Sequence, residues 1–560
     1  AYATGDGTAY KRLKQQLADY PLLQYLEYRE LRSRLSAASP ASISRFLDAY
    51  PDTPLAERLR KAWLNRLADG KRWADYARFF DPVDSDITRR CHYLHALIST
   101  GRKQQAFKEV PAIWRHGHSR PEACNPVLDA WRSAGHLTTD LAWARIALAM
   151  DSGSTRLARY LGRFLPPGDR RWLNLWLELH DEPAEILSGS RLSGSHPMKK
   201  AMIGHGIKRL ARSDHGLAVR LWRRYRSELE FSEDEACPVD ERLAIILEDE
   251  SGPLVYRFFE EVEPCRTADR LQEARIRAGL MRQDWPAVAR WIDELPEGHR
   301  NDERWLYWKG RALEAMGRKA EADTLLRQAA AERTYYGFLA ADRVSAPYRY
   351  DHIPLEVPDE LMDRVRKTPA VQRMSELYAL GRIIDARREW FYMVKRLDDA
   401  ELRATARILA DWGWIDRAIF TAARALYWDD LELRFPLRHR TLVDRYADER
   451  KLDPAWVYGV LRQESAFTAD VRSGAGAVGL MQMMPATARR VAREYQMAAP
   501  SDKALIDPET NISLGTGYLR MMLDDLSSNR ILATAAYNAG PHRVKRWLPP
   551  DTMDADIWVE

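Results

Sequence analysis

Apolar residues recur every three or four positions along most of this chain, with charged residues between them. The stretch "TADRLQEARIRAGLMRQDWPAVARWIDEL" is representative. That spacing places the apolar side chains on one face of a helix, whereas the strict alternation expected of strands is scarce. Superimposed on it is self-similarity. "ALISTGRKQQA" (Ala96 to Ala106) and "ALEAMGRKAEA" (Ala312 to Ala322) share the frame A-L-x3-G-R-K-x2-A, and "ALGRIIDA" (Ala379 to Ala386) keeps its G-R-x3-A part. A second frame, W-x3-A-x-aromatic, occurs at Trp73/Ala77/Phe79, Trp285/Ala289/Trp291 and Trp414/Ala418/Phe420. Both suit helical hairpins, in which glycine ends one helix in a left-handed conformation and an alanine lets the next pack closely. The pattern predicts a mainly all-α fold whose first part is an irregular α-solenoid, each hairpin burying its face against its neighbours.

Breaks in the pattern divide the chain. Several prolines interrupt the helical spacing near residues 333–360, a further helical segment runs to about residue 433, and the texture changes again after "RFPLRHR". The expected domains are 1–335, 336–435 and 436–560.

Composition narrows the function classes. A chain of 560 residues with 46% hydrophobic and 30% charged residues is too long for one core and too apolar to be disordered. Its net charge of +5 comes from 86 basic and 81 acidic residues spread along the length. Nucleic acid would call for a concentrated basic stripe or a recognised motif, and neither is present. An anionic extracellular polymer fits the charge. No apolar run reaches the ~18 residues of a membrane-spanning helix, and the first residues lack both a signal-peptide core and a cysteine for lipid attachment. The cysteines Cys91, Cys124, Cys237 and Cys265 form no CxxC pair and have no histidines at zinc-like spacing, so no metal is expected. In an oxidising compartment the natural bridges are Cys91–Cys124 and Cys237–Cys265, with buried free thiols as the alternative.

The residues with chemical character cluster late. "LDPAWVYGVLRQESAF" opens with a cap, Asp453, and a first-turn proline, Pro454, which predicts a helix from there. Its apolar stripe, Val457, Val460 and Leu461, continues at helical spacing to Glu464. A carboxyl group in that position has its pKa raised by desolvation and can serve as a general acid. The alternative is a structural salt bridge to Arg462 or to an arginine of 489–493.

In "SGAGAVGLMQMMP", Gly474, Gly476 and Gly479 permit close backbone approach to a ligand, while Ser473 and Gln482 offer neutral hydrogen-bonding groups. No Gly-Lys-Ser/Thr follows, so this is not a phosphate loop. Met481, Met483 and Met484 are by default core filler, and one of them can line a sugar site. "DPETNISLGTGYLRMMLDDL" reads as a scaffold helix with Ile512, Gly515, Leu519, Met522 and Leu526 inward. "AAYNAG" presents Tyr537 and Asn538 at a helix end.

Taken together, Glu464-Ser465, "GLMQMMP" and "AAYNAG", in that order and spacing, resemble the soluble lytic transglycosylases, which have a lysozyme-like catalytic domain. The likeness extends upstream through "ELRFPL" and "YYGFLAADR" to "ACNPVLDAWRSAG" and Cys91. It implies a superhelical ring of hairpins, a helical linker and a catalytic domain. The implied activity is cleavage of the β-1,4 bond between N-acetylmuramic acid and N-acetylglucosamine in peptidoglycan, giving a 1,6-anhydromuramyl end without a cofactor.

Glu464 matches the family's single catalytic glutamate. Ser473, Gln482, Met484, Tyr537, Asn538 and Glu560 fall on substrate-site positions. The family pattern continues past Glu560 with a further active-site tyrosine, so the resemblance implies a catalytic domain cut short. It also implies a periplasmic monomer acting on glycan strands, with other cell-wall enzymes as candidate partners of the solenoid and an outer-membrane tether compatible with a removed N-terminal anchor. A lysozyme-like hydrolase and a glycan-binding scaffold are the competing readings.

Overall fold

The computed structural model describes residues 7–83, 85–248, 252–262, 269–549 and 552–560. Among these, every regular element is a helix, and β-structure is confined to the isolated bridges Arg472–Val478 and Val478–Met483. The chain divides into two compact units. One comprises Ala1–Glu30, Tyr50–Ala56 and Asp351–Val559; the other comprises Leu31–Ala49, Glu57–Tyr350 and Glu560.

The glycine frames do in space what their sequence implies. Gly101, Gly317 and Gly381 follow helix ends at φ of +83°, +81° and +66°. After each glycine the next amide reaches back to a carbonyl of the preceding helix: Arg102 to Leu97 and Arg382 to Leu377 at 2.8 Å, and Arg318 to Leu313 at 2.9 Å. These bonds satisfy carbonyls that a helix end leaves open. The partner alanines Ala106, Ala322 and Ala386 are buried in the following helices. In the tryptophan frame, Gly413 plays this part before Trp414, but Lys71 and Gln283 occupy the left-handed turns at φ of +54° before Trp73 and Trp285. A side chain there carries a local conformational cost that glycine avoids.

The Leu31–Ala49 and Glu57–Tyr350 unit buries Trp63, Trp176, Trp222, Trp291 and Trp308 almost completely between successive helices. The Cys91–Cys124 bridge forms as expected, with Cα atoms 4.8 Å apart. Cys265 lies outside the described residues, and with it the expected Cys237–Cys265 bridge.

In the other unit, one ion pair is almost fully buried. Arg373 meets Glu389 at 2.9 Å, the two being 5% and 1% exposed, and Tyr25 from the N-terminal segment donates to Glu389 at 2.7 Å. A third partner satisfies a charge whose burial is otherwise unfavourable.

Candidate active site

The helix Pro454–Ser465 begins as its sequence predicts, with Asp453 accepting from the Ala455 amide at 2.9 Å and Pro454 at the first position. Val457 and Leu461 are fully buried beneath it. Its end is abrupt. Ala466 and Phe467 adopt φ of +47° and +65°, and the Thr468 amide closes the turn on the Ser465 carbonyl at 3.0 Å. Two successive left-handed residues without glycine are unfavourable and persist only where the surroundings fix them.

Glu464 stands in the last turn, half-buried. Desolvation raises its carboxyl above the ordinary glutamate range. Among the described residues no hydrogen bond or ion pair reaches it. Arg462 instead donates to the Arg434 carbonyl at 2.8 Å and lies over the Phe435 ring. Desolvation therefore acts on this carboxyl without a compensating cation.

The helix Arg530–Ala539 lies alongside. Trp456 donates to Thr534 at 3.0 Å, and Arg530 meets Asp453 at 3.4 Å, so the two helices run in the same direction. This brings Tyr537 toward Glu464. The Tyr537 hydroxyl is raised well above its usual range, first by burial, then by the charge of Glu464 and by Tyr518. It donates to the Met481 carbonyl at 2.7 Å, touches the Met483 sulfur at 3.5 Å, and its ring sits 5.2 Å from that of Tyr518. The phenol is therefore a neutral strut between its helix and the glycine-rich loop.

That loop is held by its own short bonds. Val478 and Met483 exchange amide–carbonyl bonds at 3.0 Å, and the Gly479 amide donates to Val471 at 3.0 Å. Gly479 itself, at φ +82°, approaches so closely that a Cβ would lie 2.3 Å from the Leu505 carbonyl and from the Asn511 amide nitrogen. Gln482, at φ +47°, donates to Gly479 at 2.8 Å and to Val471 at 3.3 Å, which leaves its side-chain carbonyl as the group it can offer. Ser473 is exposed, with its Oγ accepting from the Ala477 amide at 2.9 Å. Met481 and Met483 are core, whereas Met484 is 40% exposed at the start of the helix Pro485–Glu494. Asn538 is exposed beside Tyr537.

Glu560 is the remaining residue expected on a substrate-site position. It groups with the Glu57–Tyr350 unit, where its carboxylate meets Arg304, the Tyr336 hydroxyl and, at 3.0 Å, the Trp308 indole.

Asn511 is a buried polar residue that hydrophobic periodicity alone does not single out. It lies one turn before Gly515 on the inward face of the helix Pro508–Asp525, where full burial demands partners. Its carbonyl accepts from the Met481 amide at 2.7 Å, and its amide donates to Leu505 at 2.8 Å and Val478 at 3.0 Å. Gly515 opens the notch for Met481, since a Cβ there would come 2.3 Å from the sulfur. The scaffold helix thus fixes the residue on which Tyr537 leans.

The other carboxylates nearby are engaged. Asp507 caps its helix through the Thr510 amide at 2.9 Å, Asp524 pairs with Arg520, and Asp470 meets Arg387 at 2.8 Å. The arrangement sets one desolvated carboxyl, without a cation beside it among the described residues, near a neutral phenol and a loop edged with polar groups and one exposed thioether.

Comparison with known proteins places the chain in a family. Residues 441–556 match the Transglycosylase SLT domain, and residues 364–431 match the Soluble lytic murein transglycosylase L domain. The chain is 30% identical over 550 residues to the soluble lytic murein transglycosylase of Escherichia coli K12, covering 97% of this chain and 85% of that protein. Among solved structures, an inactive Glu-to-Gln mutant of the lytic transglycosylase Slt from Pseudomonas aeruginosa is 35% identical with a TM-score of 0.90, covering 100% of this chain and 91% of that one. The 70 kDa soluble lytic transglycosylase of Escherichia coli is 29% identical with a TM-score of 0.86, covering 98% and 89%. With helical architecture and sequence in agreement over almost its whole length, the chain belongs to the soluble lytic murein transglycosylase family.

Proposed function

We propose that this chain is a peptidoglycan lytic transglycosylase in which Glu464 is the only acid–base group. The observation that carries the reading is the Glu464 carboxyl itself: half-buried, raised by desolvation and unpaired among the described residues. A group in that state keeps a proton at higher pH than a free glutamate does, and it has no cation to hold it ionised.

Ordinary glycosidases pair two carboxyl groups. With Asp453, Asp470, Asp507 and Asp524 engaged elsewhere, the sugar must supply the remaining nucleophiles. Glu464 protonates the glycosidic oxygen as the C1–O bond breaks, and the neighbouring 2-acetamido group stabilises the cation at C1. The Glu464 carboxylate then removes the proton from the C6 hydroxyl, whose oxygen bonds to C1. One glycan becomes two, one ending in a 1,6-anhydro ring, and no water is consumed. Tyr537, Asn538, Ser473, Gln482 and Met484 position the sugar in this scheme. Residues 436–560 carry the chemistry, with 336–435 as linker and 1–335 as solenoid.

No helix among the described residues is long and apolar enough to cross a membrane. The substrate places the enzyme in the periplasm.

Glu464→Gln keeps the shape and removes the acid. The expected result is loss of turnover on purified peptidoglycan, with anhydromuropeptides as the wild-type products by mass spectrometry. Products heavier by one water would identify a hydrolase, and near-normal turnover by the variant would remove Glu464 from the mechanism.

A further inference from the structure

A cavity of about 460 Å³ opens within the Glu57–Tyr350 unit, room for roughly fifteen waters. It is lined from five helices, Thr139–Asp151, Pro167–Asp181, Lys199–Leu210, Glu233–Leu247 and Asp269–Arg282, and from Ser152, Gly153 and Arg212 just past the ends of the first and third. Consecutive members of the last four pack side by side.

Five cations line the cavity, Lys208, Arg209, Arg212, Arg242 and Arg270, against two carboxylates, Asp151 and Glu241. Asp151 is already spoken for. Burial favours its neutral form, but Lys208 at 2.9 Å and the nearby His205 overcome that and hold it below the usual carboxylate range. That leaves four arginines facing Glu241. No ion pair among the described residues engages any of them, and the Nε of Arg209 is buried without a hydrogen-bond partner. His180, which bonds His205 at 3.1 Å, is pushed below the ordinary histidine range by burial and then by Arg209.

Helix stability does not explain the cluster. Lys208 and Arg209 sit in the last turn of their helix, where a cation is favoured, but Arg270 is the second residue of its helix, where the dipole favours an anion. Arg212 and Arg270 are exposed and Arg209 and Arg242 partly buried, so solvent screens part of their mutual repulsion, and an anion bound between them relieves the rest.

We infer that this cavity is a second binding site, separate from the Glu464 loop, for a small multivalent oxyanion held by the guanidinium groups of Arg209, Arg212, Arg242 and Arg270. Guanidinium forks match the planar geometry of carboxylate and phosphate oxygens. Both chemistries occur at a cell surface, carboxylates on the peptides of peptidoglycan and phosphates in free or ester form. The inference does not depend on the chemistry of Glu464.

The test is isothermal titration calorimetry on the full chain at low ionic strength in a buffer without polyvalent anions, using citrate and inorganic pyrophosphate as probes. The expected result is saturable one-to-one binding of at least one probe. The tighter probe identifies the source, carboxylate or phosphate. Arg209→Gln with Arg242→Gln should weaken it about tenfold or more, while Arg209→Lys with Arg242→Lys, which keeps the charge, should recover part of the affinity. Circular dichroism melting checks that each variant is folded, and Glu464→Gln should bind as the wild type does. Absence of saturable binding by either probe, or equal affinity in the folded Gln variant, would overturn the inference.

Discussion

Replacing Asn511 by alanine should damage catalysis more than it damages the fold, and the reason can be followed bond by bond. Asn511 is fully buried and makes three hydrogen bonds to backbone. The Val478 carbonyl keeps a second bond, from the Met483 amide, when Asn511 is lost. The Met481 amide and the Leu505 carbonyl lose the partner that Asn511 gave them. At about 1–3 kcal/mol for each buried group left unsatisfied, the expected destabilisation is about 2–6 kcal/mol. The loop pays a further penalty in geometry, because Met481 carries the carbonyl that receives Tyr537. Asn511→Asp offers a discriminating partner: it preserves the acceptor for Met481 but turns a carboxyl toward two carbonyls, so protonation at low pH should restore one donated bond. The assay is chemical denaturation beside turnover on purified peptidoglycan, with rates corrected for the folded fraction. Wild-type stability in Asn511→Ala, or full activity per folded molecule, would refute the idea that this amide sets the loop.

Other outcomes follow from the same coordinates. The Glu464 carboxyl is raised on folding, so the native state binds its proton more tightly than the unfolded chain does; wild-type stability should therefore fall as pH rises through the folded pKa. Glu464→Gln should melt higher than wild type at neutral pH, and the difference should vanish below the ordinary glutamate range; a gap that persists in acid would contradict this. Replacing both Cys91 and Cys124 by serine opens a loop of 33 residues' separation and should cost about 4 kcal/mol on the chain-entropy model, read as a lowered denaturation midpoint under non-reducing conditions. Gln283→Gly relieves a left-handed side chain and should stabilise by about 0.5–1 kcal/mol, whereas Gly317→Ala should destabilise by a similar amount; opposite signs in thermal melts would overturn the turn assignment.

How much of this could be read in advance depended on the range of the interaction. Helix caps at Asp453 and Asp507 and the left-handed turns at Gly101, Gly317 and Gly381 are local, and residue type alone announces them. Lys71 and Gln283 hide the same turn because any residue can be forced into it by the helices on either side. Tyr25 could not be matched to Glu389, since a contact across 364 residues leaves no trace in periodicity. Glu464 is visible as an acid on an apolar stripe, and its two-residue spacing from Arg462 already sets the two on different faces of the helix; the Arg434 carbonyl that Arg462 reaches is the part periodicity does not show. Asn511 was legible in principle: a polar side chain one turn from Gly515 on an inward face must find partners or unfold the helix. The packing of Gly515 against Met481 supplies the reason that stripe contains a glycine at all.

A raised carboxyl pKa does not by itself mark a catalytic group, and this molecule contains the control. Asp240, 1% exposed, is pushed up to about 6 by burial, against the pull of Arg226 at 2.9 Å and the Trp222 indole at 2.7 Å. Its oxygens are bound by donors from a neighbouring helix, so its buried polarity serves the packing of two helices. Glu464, half-buried, is also raised by desolvation but has none of those partners, and it sits just before Ala466 and Phe467, whose left-handed backbone turns the chain sharply away from the helix. A structural acid would be expected to recruit a donor, as Asp240 does from Trp222 and Arg226. The fold ties Arg462 to a carbonyl and spends strain at the turn, roughly 1–3 kcal/mol for each left-handed residue. No donor among the described residues reaches the Glu464 carboxyl, and that, more than the direction of its pKa, distinguishes it from Asp240.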